Sequence, residues 1–590
     1  MAKASVEELK SESRGLRGEI VEELNNKEAF VTEETATLLK FHGTYQQDDR
    51  DLRNQRKKEG LDKAWSFMVR TKMPSGLISA EQYLAHDRLA VELGCGNMRL
   101  TTRQGIQLHG VLKGGLHQVI GTIATCGLTT SGACGDIVRN IMGPASPIAD
   151  AAHRDALALS QEISEKFLSK SGAYTELWID GERVGLDGKP LEAEPEPQEE
   201  DPIYGKTYLP RKFKMAVVVQ PRNDVDAYTQ DISFVSHEQD GVVEGYTILV
   251  GGGFGMSHGQ QQTYPLLAKP LYFVTREHVV DAAVAIVTTQ RDFGNREDRK
   301  RARMKYLIDE RGIEWMRDQV RERMGATASA LQPAREINFD TVADALGWNE
   351  QGDGKLFFGL FVNQGRLSDT TNGAQYFTAF RRLAEEIKCD FTITPNTNVY
   401  LCNVDPSQKE AVENILTECK LIDGRSLSAA RQVAHACVAL PTCGLSLSES
   451  ERVFGKVMEQ IEAELRELGL NDEPILFRMT GCPNGCGRPY NADFGFVGRA
   501  PNKYAMFVGG SIRGDRLAGL EFKSVLGEDL PGKVREFLEA FKAERKDGEI
   551  FADWFARTRT TGEGPTPEQF HIELAERTAK LAAQKVVAAE

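Results

Sequence analysis

The pattern of apolar residues in the last third of the chain predicts one long helix followed by a strand. Apolar positions recur at helical spacing from residue 453 to residue 468, and Gly469 is the predicted stop. Ser448-Glu-Ser-Glu451 has the spacing of a capping box, so the helix is predicted to begin there. Residues 475–480 then form a short apolar run that predicts a strand.

Two stretches of matching pattern indicate an internal duplication. Residues 98–110 (MRLTTRQGIQLHG) align without gaps with residues 391–403 (FTITPNTNVYLCN). Each stretch follows a helix-like segment with a Gln-Tyr pair, at 82–83 and 375–376, and precedes one that ends in Cys126 or Cys419. Units of this size predict two related α+β half-domains.

A second, weaker repeat extends the duplication to the rest of the chain. Residues 231–235 (DISFV) and 245–253 (GYTILVGGG) resemble residues 493–497 (DFGFV) and 503–510 (KYAMFVGG). The chain therefore reads A–B–A′–B′ and is predicted to have pseudo-two-fold symmetry. Binding sites in such proteins commonly lie where the halves meet.

Four cysteines flank the predicted helix as two pairs, C-x5-C at Cys437 and Cys443 and C-x3-C at Cys482 and Cys486. Cysteine pairs on tight, glycine-rich loops are typical of iron–sulfur clusters. Structural zinc is an alternative, although its usual spacing is C-x2–4-C. Two disulfides or unliganded core thiols are further alternatives, and spacing by itself leaves all four open.

The composition of the chain argues against two classes of function, nucleic-acid binding and membrane association. The chain has 590 residues, of which 41% are hydrophobic and 27% charged, and its net charge is −14. This length predicts roughly two to four domains, and the acidic balance argues against nucleic-acid binding. Because no apolar run reaches membrane-helix length and the N-terminus has no hydrophobic signal region, we expect no membrane association and a cytoplasmic location.

Basic and polar side chains concentrate in five further segments. Strand alternation puts Lys212 and Lys214 on one face, where they repel each other unless an anion lies between them. Arg70 shares a predicted strand face with Lys72, and Arg139 is expected near a helix start. A further segment is strand-like, and its even spacing predicts that four polar side chains lie on one face: Arg99, Arg103, Gln107 and His109. The last segment is the densely basic stretch 288–306, which contains Gln290, Asn295, Arg296 and Lys305. For each segment the simpler interpretation is a solvated or salt-bridged surface.

The stretch Thr480-Gly-Cys-Pro-Asn-Gly-Cys-Gly-Arg-Pro489, with the upstream C-x5-C, resembles the cluster motif of the siroheme-dependent sulfite and nitrite reductases. The resemblance runs from about residue 41 to about residue 557. It implies a [4Fe–4S] cluster on the four cysteines and a siroheme whose iron is bridged by Cys486. It also implies that Arg70, Arg139, Lys212 and Lys214 are catalytic and bind the oxyanion. The residues it implies for siroheme binding are Arg99, Arg103, Gln107, His109, Asn295 and Arg296.

The predicted fold class is α+β, with two ferredoxin-like half-domains and two α+β domains that bind siroheme and the cluster. The predicted boundaries are an N-terminal arm at 1–60, a first half-domain at 61–140, a first siroheme-binding domain at 165–325, a second half-domain at 350–422, a cluster and siroheme domain at 430–560, and a tail at 561–590. The acidic, proline-rich stretch 191–201 is predicted to be a solvent loop.

By resemblance, the expected function is that of an assimilatory sulfite reductase hemoprotein, the six-electron reduction of sulfite to sulfide. No flavin or nicotinamide domain is evident, so the expected electron donor is a separate NADPH-dependent flavoprotein subunit or a ferredoxin. The alternative on the same scaffold is ferredoxin-dependent nitrite reduction to ammonia; nitrite reductases typically replace the second lysine with Asn, so Lys214 favours sulfite. An alternative from another class is a non-catalytic protein that binds zinc or a cluster.

Overall fold

A computed structural model of the protein describes residues 5–179, 200–369, 373–422, 427–560 and 565–572. Most of the acidic stretch 191–201 and all of the predicted tail at 561–590 except residues 565–572 lie outside the described residues. No helix within these ranges combines the length and apolar character that a bilayer crossing requires.

The first half-domain is an α+β unit whose sheet begins with a strand from the N-terminal segment. That segment forms α1 (Val6–Glu12), α2 (Ile20–Asn25), α3 (Glu33–Leu39), β1 (Thr44–Asp48) and α4 (Arg53–Lys58). The half-domain continues with β2 (Trp65–Arg70), β3 (Leu77–Ile78), α5 (Ala80–Glu92), β4 (Met98–Leu100), β5 (Ile106–Val111) and α6 (Leu116–Thr125). Because β1 pairs antiparallel with β2, the predicted arm is partly built into the sheet.

The first large domain contains a six-stranded mixed sheet covered by helices. Its elements are β6 (Val138–Met142), α7 (Ala151–Lys166), α8 (Ala173–Trp178), β7 (Phe213–Val218), β8 (Ile232–Gln239), β9 (Val242–Val250), β10 (Lys269–Thr275), α9 (Val279–Phe293), α10 (Met304–Arg311), α11 (Ile313–Met324) and β11 (Leu331–Gln332). The strand order is β11-β10-β9-β8-β7-β6, and β6, β7 and β8 run parallel.

The second half-domain repeats the first. It forms β12 (Gly347–Glu350), β13 (Leu356–Leu360), β14 (Arg366–Leu367), α12 (Tyr376–Arg382) with a π-helical extension (Leu383–Ile387), β15 (Asp390–Ile393), β16 (Val399–Val404) and α13 (Lys409–Glu418). The two half-domains exchange strands: β14 pairs with β4, and β3 pairs with β15. Ser75 and Gln364, in the equivalent turns before the exchanged strands, both have positive φ, at 57° and 53°.

The second large domain has the same core topology as the first. Its elements are α14 (Ala429–Val433), β17 (His435–Ala436), α15 (Glu451–Leu468), β18 (Phe477–Thr480), β19 (Phe494–Ala500), β20 (Lys503–Val508), β21 (Gly519–Leu526), α16 (Leu530–Glu544) and α17 (Phe551–Arg559). The strand order is β17-β18-β19-β20-β21, again with the first three strands parallel. The predicted α+β fold and its A–B–A′–B′ duplication are confirmed.

Strand register makes the two large domains comparable position by position. Met215 pairs with Ile232, and Phe477 pairs with Phe494, so residues 213–235 and 475–497 correspond with one constant offset. A shared contact supports this correspondence: the backbone N–H of Lys214 donates to Asp231 at 2.9 Å, and that of Leu476 donates to Asp493 at 2.8 Å.

Several local predictions were wrong. Residues 98–110 form two antiparallel strands, because a turn with Gln104 at φ 53° reverses the chain. Arg99 therefore lies on β4 and Gln107 and His109 on β5, whereas Arg103 lies in the turn. Arg139 lies within β6 and not near a helix start. The long helix exists and ends at Gly469, but its cap residue Ser450 makes no side-chain hydrogen bond, so the capping box is absent. Lys72 lies beyond the end of β2.

Candidate active site

The four cysteines lie on loops that follow two neighbouring parallel strands. Cys437 directly follows β17, with Cys443 farther along the same loop, and Cys482 and Cys486 follow β18. Since β17 and β18 are parallel, both loops leave the same edge of the sheet. Cys482 is buried, Cys437 and Cys443 are half-buried, and Cys486 is exposed.

Hydrogen-bond donors face the sulfur atoms. The backbone N–H of Gly481 donates to Cys437 Sγ at 3.3 Å, and Thr480 Oγ1 donates to the same atom at 3.4 Å. Asn484 Nδ2 donates to Cys482 Sγ at 3.4 Å. Gly481 has no space for a side chain, because a Cβ there would lie 2.1 Å from Ser446 Oγ. Donors of this kind stabilise the thiolates and sulfides of iron–sulfur clusters.

The four thiols interact electrostatically with one another. Burial, with a smaller contribution from Cys486, raises the pKa of Cys443 to about 11 and the pKa of Cys482 to about 12. Burial and Cys486 also raise the pKa of Cys437. Thiols that disfavour each other's ionisation in this way are stabilised as thiolates when cations bind among them.

The geometry distinguishes the alternatives for these cysteines. No group of three or more His, Cys, Asp or Glu side chains among the described residues is arranged around a single metal ion. All ten cysteines are free thiols, which contradicts the disulfide alternative. A cluster of several irons needs thiolates that surround a space, and the four converging thiols fit that requirement.

Two lysines from the first large domain face the same region without partners. Within the described residues, the ammonium groups of Lys212 and Lys214 make no hydrogen bond or ion pair. Burial, together with the charges of neighbouring guanidinium groups, lowers the pKa of Lys212 to about 7, although Cys486 acts in the opposite direction. Burial likewise places the pKa of Lys214 well below its usual range, with Arg103 as the next cause. Two unpaired ammonium groups that repel each other are suited to binding an anion.

Arg70 enters the same region from the end of β2. Its Nη1 donates to Cys134 Sγ at 3.2 Å, and with the Gln107 amide oriented towards it, its Nε donates to Gln107 Oε1 at 3.1 Å. Burial lowers the pKa of Arg70, but Cys134, Tyr45 and Cys486 act in the opposite direction and leave it above its usual value. The side chain is therefore a fixed cation within electrostatic reach of Cys486.

Arg139 and Arg103 complete the cationic region. Arg139 Nε donates to the carbonyl of Gly135 at 2.8 Å, and Arg103 Nη1 donates to Gln230 Oε1 at 2.8 Å. Burial lowers the pKa of Arg103 to about 9 with the help of neighbouring positive charges, among them Arg139 and Arg70. The structure thus brings five predicted cations together: Arg70, Arg103, Arg139, Lys212 and Lys214.

Arg99 and His109 occupy more enclosed positions. Arg99 Nη2 donates to the carbonyl of Ala436 at 2.7 Å and its Nε to Glu451 at 3.0 Å, so it holds the start of the loop that carries Cys437. Burial lowers the pKa of His109 to about 3, and its ring contacts Gln47 at 3.3 Å.

The predicted residues of the basic stretch make local contacts. Asn295 Oδ1 accepts from the backbone N–H of Asp298 at 2.8 Å, and Arg296 Nη2 donates to the carbonyl of Tyr208 at 2.7 Å. Arg296 also forms an ion pair with Glu7 of the N-terminal segment. Gln290 and Lys305 both donate to backbone carbonyls. A role of these residues in cofactor binding stays a prediction.

Sequence reasoning missed two buried ion pairs. Arg303 binds Asp231 at 2.8 Å, next to Lys212 and Lys214. Asp226 binds Arg478 at 2.8 Å and Arg488 at 2.5 Å in the interior between the two large domains. The repeated aspartate of residues 231 and 493 was a visible signal for the first pair, and Arg488 stands within the cysteine motif.

Comparisons with known proteins agree with this geometry. A family model described as "Nitrite/Sulfite reductase ferredoxin-like half domain" matches residues 62–124 and 349–419, and one described as "Nitrite and sulphite reductase 4Fe-4S domain" matches residues 160–327. The second match covers the first large domain, whereas the four cysteines lie in its repeat.

Curated relatives extend the match to nearly the whole chain. The "Sulfite reductase [NADPH] hemoprotein beta-component" of Staphylococcus carnosus is 41% identical over 94% of this chain and 95% of its own length. The protein of the same name from Geobacillus kaustophilus is 41% identical over 96% of this chain and 98% of its own length.

A solved structure, titled "Structure of Mycobacterium tuberculosis NirA protein", has the same fold at TM-score 0.75 and 22% identity, covering 96% of this chain and 97% of that one. The identity and coverage of the curated relatives establish the family, and the [4Fe–4S] domain in the family description agrees with the predicted cluster. The chain is a member of the nitrite and sulfite reductase family, a family of oxidoreductase enzymes.

Proposed function

We propose that this protein is the hemoprotein component of a sulfite reductase and catalyses the six-electron reduction of sulfite to sulfide. One observation carries the proposal. Arg70 from the first half-domain and Lys212 and Lys214 from the first large domain all lie within electrostatic reach of Cys486 from the second large domain. A site for an anion thus adjoins the thiol that is proposed to bridge the cluster and the siroheme.

The donor set fits both cofactors. Cys437, Cys443, Cys482 and Cys486 would hold the [4Fe–4S] cluster, and Cys486, the most exposed thiol of the four, would also ligate the siroheme iron. Siroheme carries a ring of carboxylates, which the unpaired cations of this region suit. When bound, the cluster and the siroheme would supply single electrons and an iron centre at which sulfite could be reduced.

The protein's own side chains have distinct roles in this proposal. Arg70 and Arg139 neutralise the oxyanion, and their contacts with Cys134 and Gly135 fix their orientation. Lys212 has a pKa of about 7, so its ammonium can donate a proton near neutral pH as an S–O bond breaks. Lys214 adds a second positive charge beside it.

We propose an NADPH-dependent flavoprotein as the electron donor. The relatives carry "[NADPH]" and "beta-component" in their names, which implies a partner that handles the nicotinamide. Ferredoxin is the alternative donor, and turnover of the purified chain with each reduced donor separates the two.

Replacement of Lys214 by Asn tests substrate choice. Sulfite and its partly reduced forms carry more charge than nitrite, and Asn offers hydrogen bonds without a charge. Lys214→Asn should therefore move the ratio of kcat/KM for sulfite over nitrite towards nitrite by about tenfold, the size expected for one charge-assisted contact. Both substrates are assayed with reduced methyl viologen at fixed pH. An unchanged ratio would show that Lys214 does not select sulfite, and a wild-type protein without sulfite turnover would contradict the proposed function.

A further inference from the structure

We infer that the surface around Leu445, Leu52 and helix α4 is the docking site of an acidic electron-carrier domain. This inference rests on the proposed function, because it assumes that electrons reach the cluster from a separate protein. The surface is defined here as residues 50–58 together with residues 444–445, and is called the α4 surface below.

The centre of the α4 surface is apolar and exposed. Leu445 has 69% of its surface accessible, more than any other large hydrophobic side chain among the described residues, and Leu52 has 40%. Leu445 stands two residues after Cys443, a proposed cluster ligand. An apolar side chain left in water beside a redox centre is typical of a binding site for a partner.

The N-terminal segment is held against the cysteine loop. Arg50 Nη1 donates to the carbonyl of Cys443 at 3.0 Å and to that of Ser446 at 2.7 Å, and the backbone N–H of Arg50 donates to the carbonyl of Pro441 at 3.3 Å. Arg452 forms an ion pair with Asp51 at 2.6 Å beside these contacts. Leu52 and helix α4 therefore lie next to the loop that carries Leu445 and Cys443.

The rim of the α4 surface is basic. Helix α4 contains Arg53, Arg56, Lys57 and Lys58 and no acidic residue, and none of its residues is buried. Arg53 is paired with Asp48, whereas the ammonium groups of Lys57 and Lys58 have no ion-pair partner within the described part of the chain. Because the chain carries a net charge of −14, a local excess of unpaired positive charge marks where an acidic partner can approach.

These features match the interface of a transient redox pair. Such interfaces are small, with an apolar centre and a charged rim that steers the encounter. Docking at the α4 surface would place the donor's redox centre next to Cys443, and electron transfer falls steeply with distance. The partner expected there carries carboxylates around a one-electron carrier, as a flavin domain of the flavodoxin type does.

Charge reversal tests the docking site. The Lys57→Glu/Lys58→Glu variant should raise the KM for reduced flavodoxin, used as the acidic carrier, by about tenfold at low salt, and added salt should shrink this difference. Leu445→Ser should raise the same KM by about threefold, as expected for loss of a partly exposed apolar contact. Turnover with methyl viologen should not change, because a small donor needs no docking surface.

A matched control and a binding measurement make the result decisive. Lys166→Glu/Lys170→Glu reverses two exposed lysines at the end of α7 in the first large domain and should leave the KM for flavodoxin unchanged. Calorimetric titration of oxidised flavodoxin should show the same order of affinities without turnover. Unchanged affinity and KM in the α4 variants, or an equal loss in the control, would overturn the docking site, whereas absent viologen turnover in the wild type would count against the proposed function alone.

Discussion

The two large domains share one fold but carry different functional side chains at equivalent positions. Position 214 in the first domain is Lys, and its equivalent in the second is Leu476. Cys482 and Cys486 correspond to Gln220 and Asp224 in the first domain, where burial raises the pKa of Asp224 to about 6. One copy therefore supplies cations, and the other supplies thiols.

The equivalent aspartates show the same divergence. Asp231 is fully buried and paired with Arg303 at 2.8 Å. Asp493 makes the same backbone contact as Asp231, but its Oδ1 has no hydrogen-bond partner, and burial raises its pKa to about 7. The comparison shows that both copies share the backbone contact, whereas only Asp231 is paired with a buried arginine next to the proposed anion site.

The halves meet at an ion pair between equivalent residues. Asp226 and Arg488 occupy matching positions, both with positive φ (52° and 53°), and they bind each other at 2.5 Å. Arg488 also donates to the carbonyls of Thr102 and Pro395, which are equivalent residues of the two half-domains, each at 3.0 Å. Arg488 thus ties all four units together two residues after Cys486.

The largest expected effect is loss of the cluster. Cys482→Ser removes a proposed iron ligand, so the purified protein should lose its acid-labile sulfide and visible iron–sulfur absorption. Gln220→Ser, the equivalent change in the first domain, should retain both. Retention of the full cluster in Cys482→Ser would show that Cys482 is not a ligand.

The aspartate pair should differ strongly in stability. Asp231→Asn leaves the buried Arg303 without its counter-charge and should cost about 3–5 kcal/mol. Asp493→Asn replaces a largely protonated carboxyl and should cost under about 1 kcal/mol at pH 6. Thermal unfolding midpoints followed by circular dichroism compare the variants, and equal shifts would contradict the assigned difference between the two positions.

Replacement of the two arginines that are proposed to bind the oxyanion should affect catalysis without loss of cofactors. Arg70→Ala and Arg139→Ala should each lower kcat/KM for sulfite about ten- to hundredfold, since a charge-assisted hydrogen bond in a buried site is worth roughly 1.5–3 kcal/mol. Arg382→Ala, which removes two surface ion pairs in the second half-domain, serves as the control. Steady-state kinetics with unchanged values for both variants would make these arginines structural.

The smallest expected effect concerns pH. The pKa of Asp493 is about 7 in the folded protein and 3.8 in its ordinary state, so the folded protein holds this proton more tightly. The resulting stability is present below about pH 4 and is lost as pH rises through 7. Between pH 5 and pH 8 the wild type should therefore lose about 1–3 kcal/mol relative to Asp493→Asn. Parallel midpoint-versus-pH curves would contradict the raised pKa.

Repetition and spacing made much of the fold predictable from the sequence. The matches between residues 98–110 and 391–403 and between the two Asp-led strands predicted the duplication, because equivalent core positions keep similar residues. Local structure was less predictable. Even spacing placed Arg99 and Arg103 on one strand face, although Arg99 lies on β4 and Arg103 lies in the turn that follows it. The capping box failed because Glu451 instead binds Arg99 and Arg366 from the half-domains.

Long-range pairs could not be predicted from local pattern. Nothing near Arg488 in the sequence indicates Asp226, which lies in the other large domain. The strand exchange of β3 and β14 also depends on contacts between the half-domains, although the two turns that precede it have similar residues. Such features arise from packing between repeats, which a single repeat does not encode.

Metal and sulfide analysis of the purified protein tests the central claim most directly. If one half supplies the thiols and the other the cations for a shared cofactor site, each chain should contain about five irons, four acid-labile sulfides and one siroheme, with the corresponding visible spectrum. A colourless protein with one zinc per chain and no acid-labile sulfide, purified without metal stripping, would contradict the account.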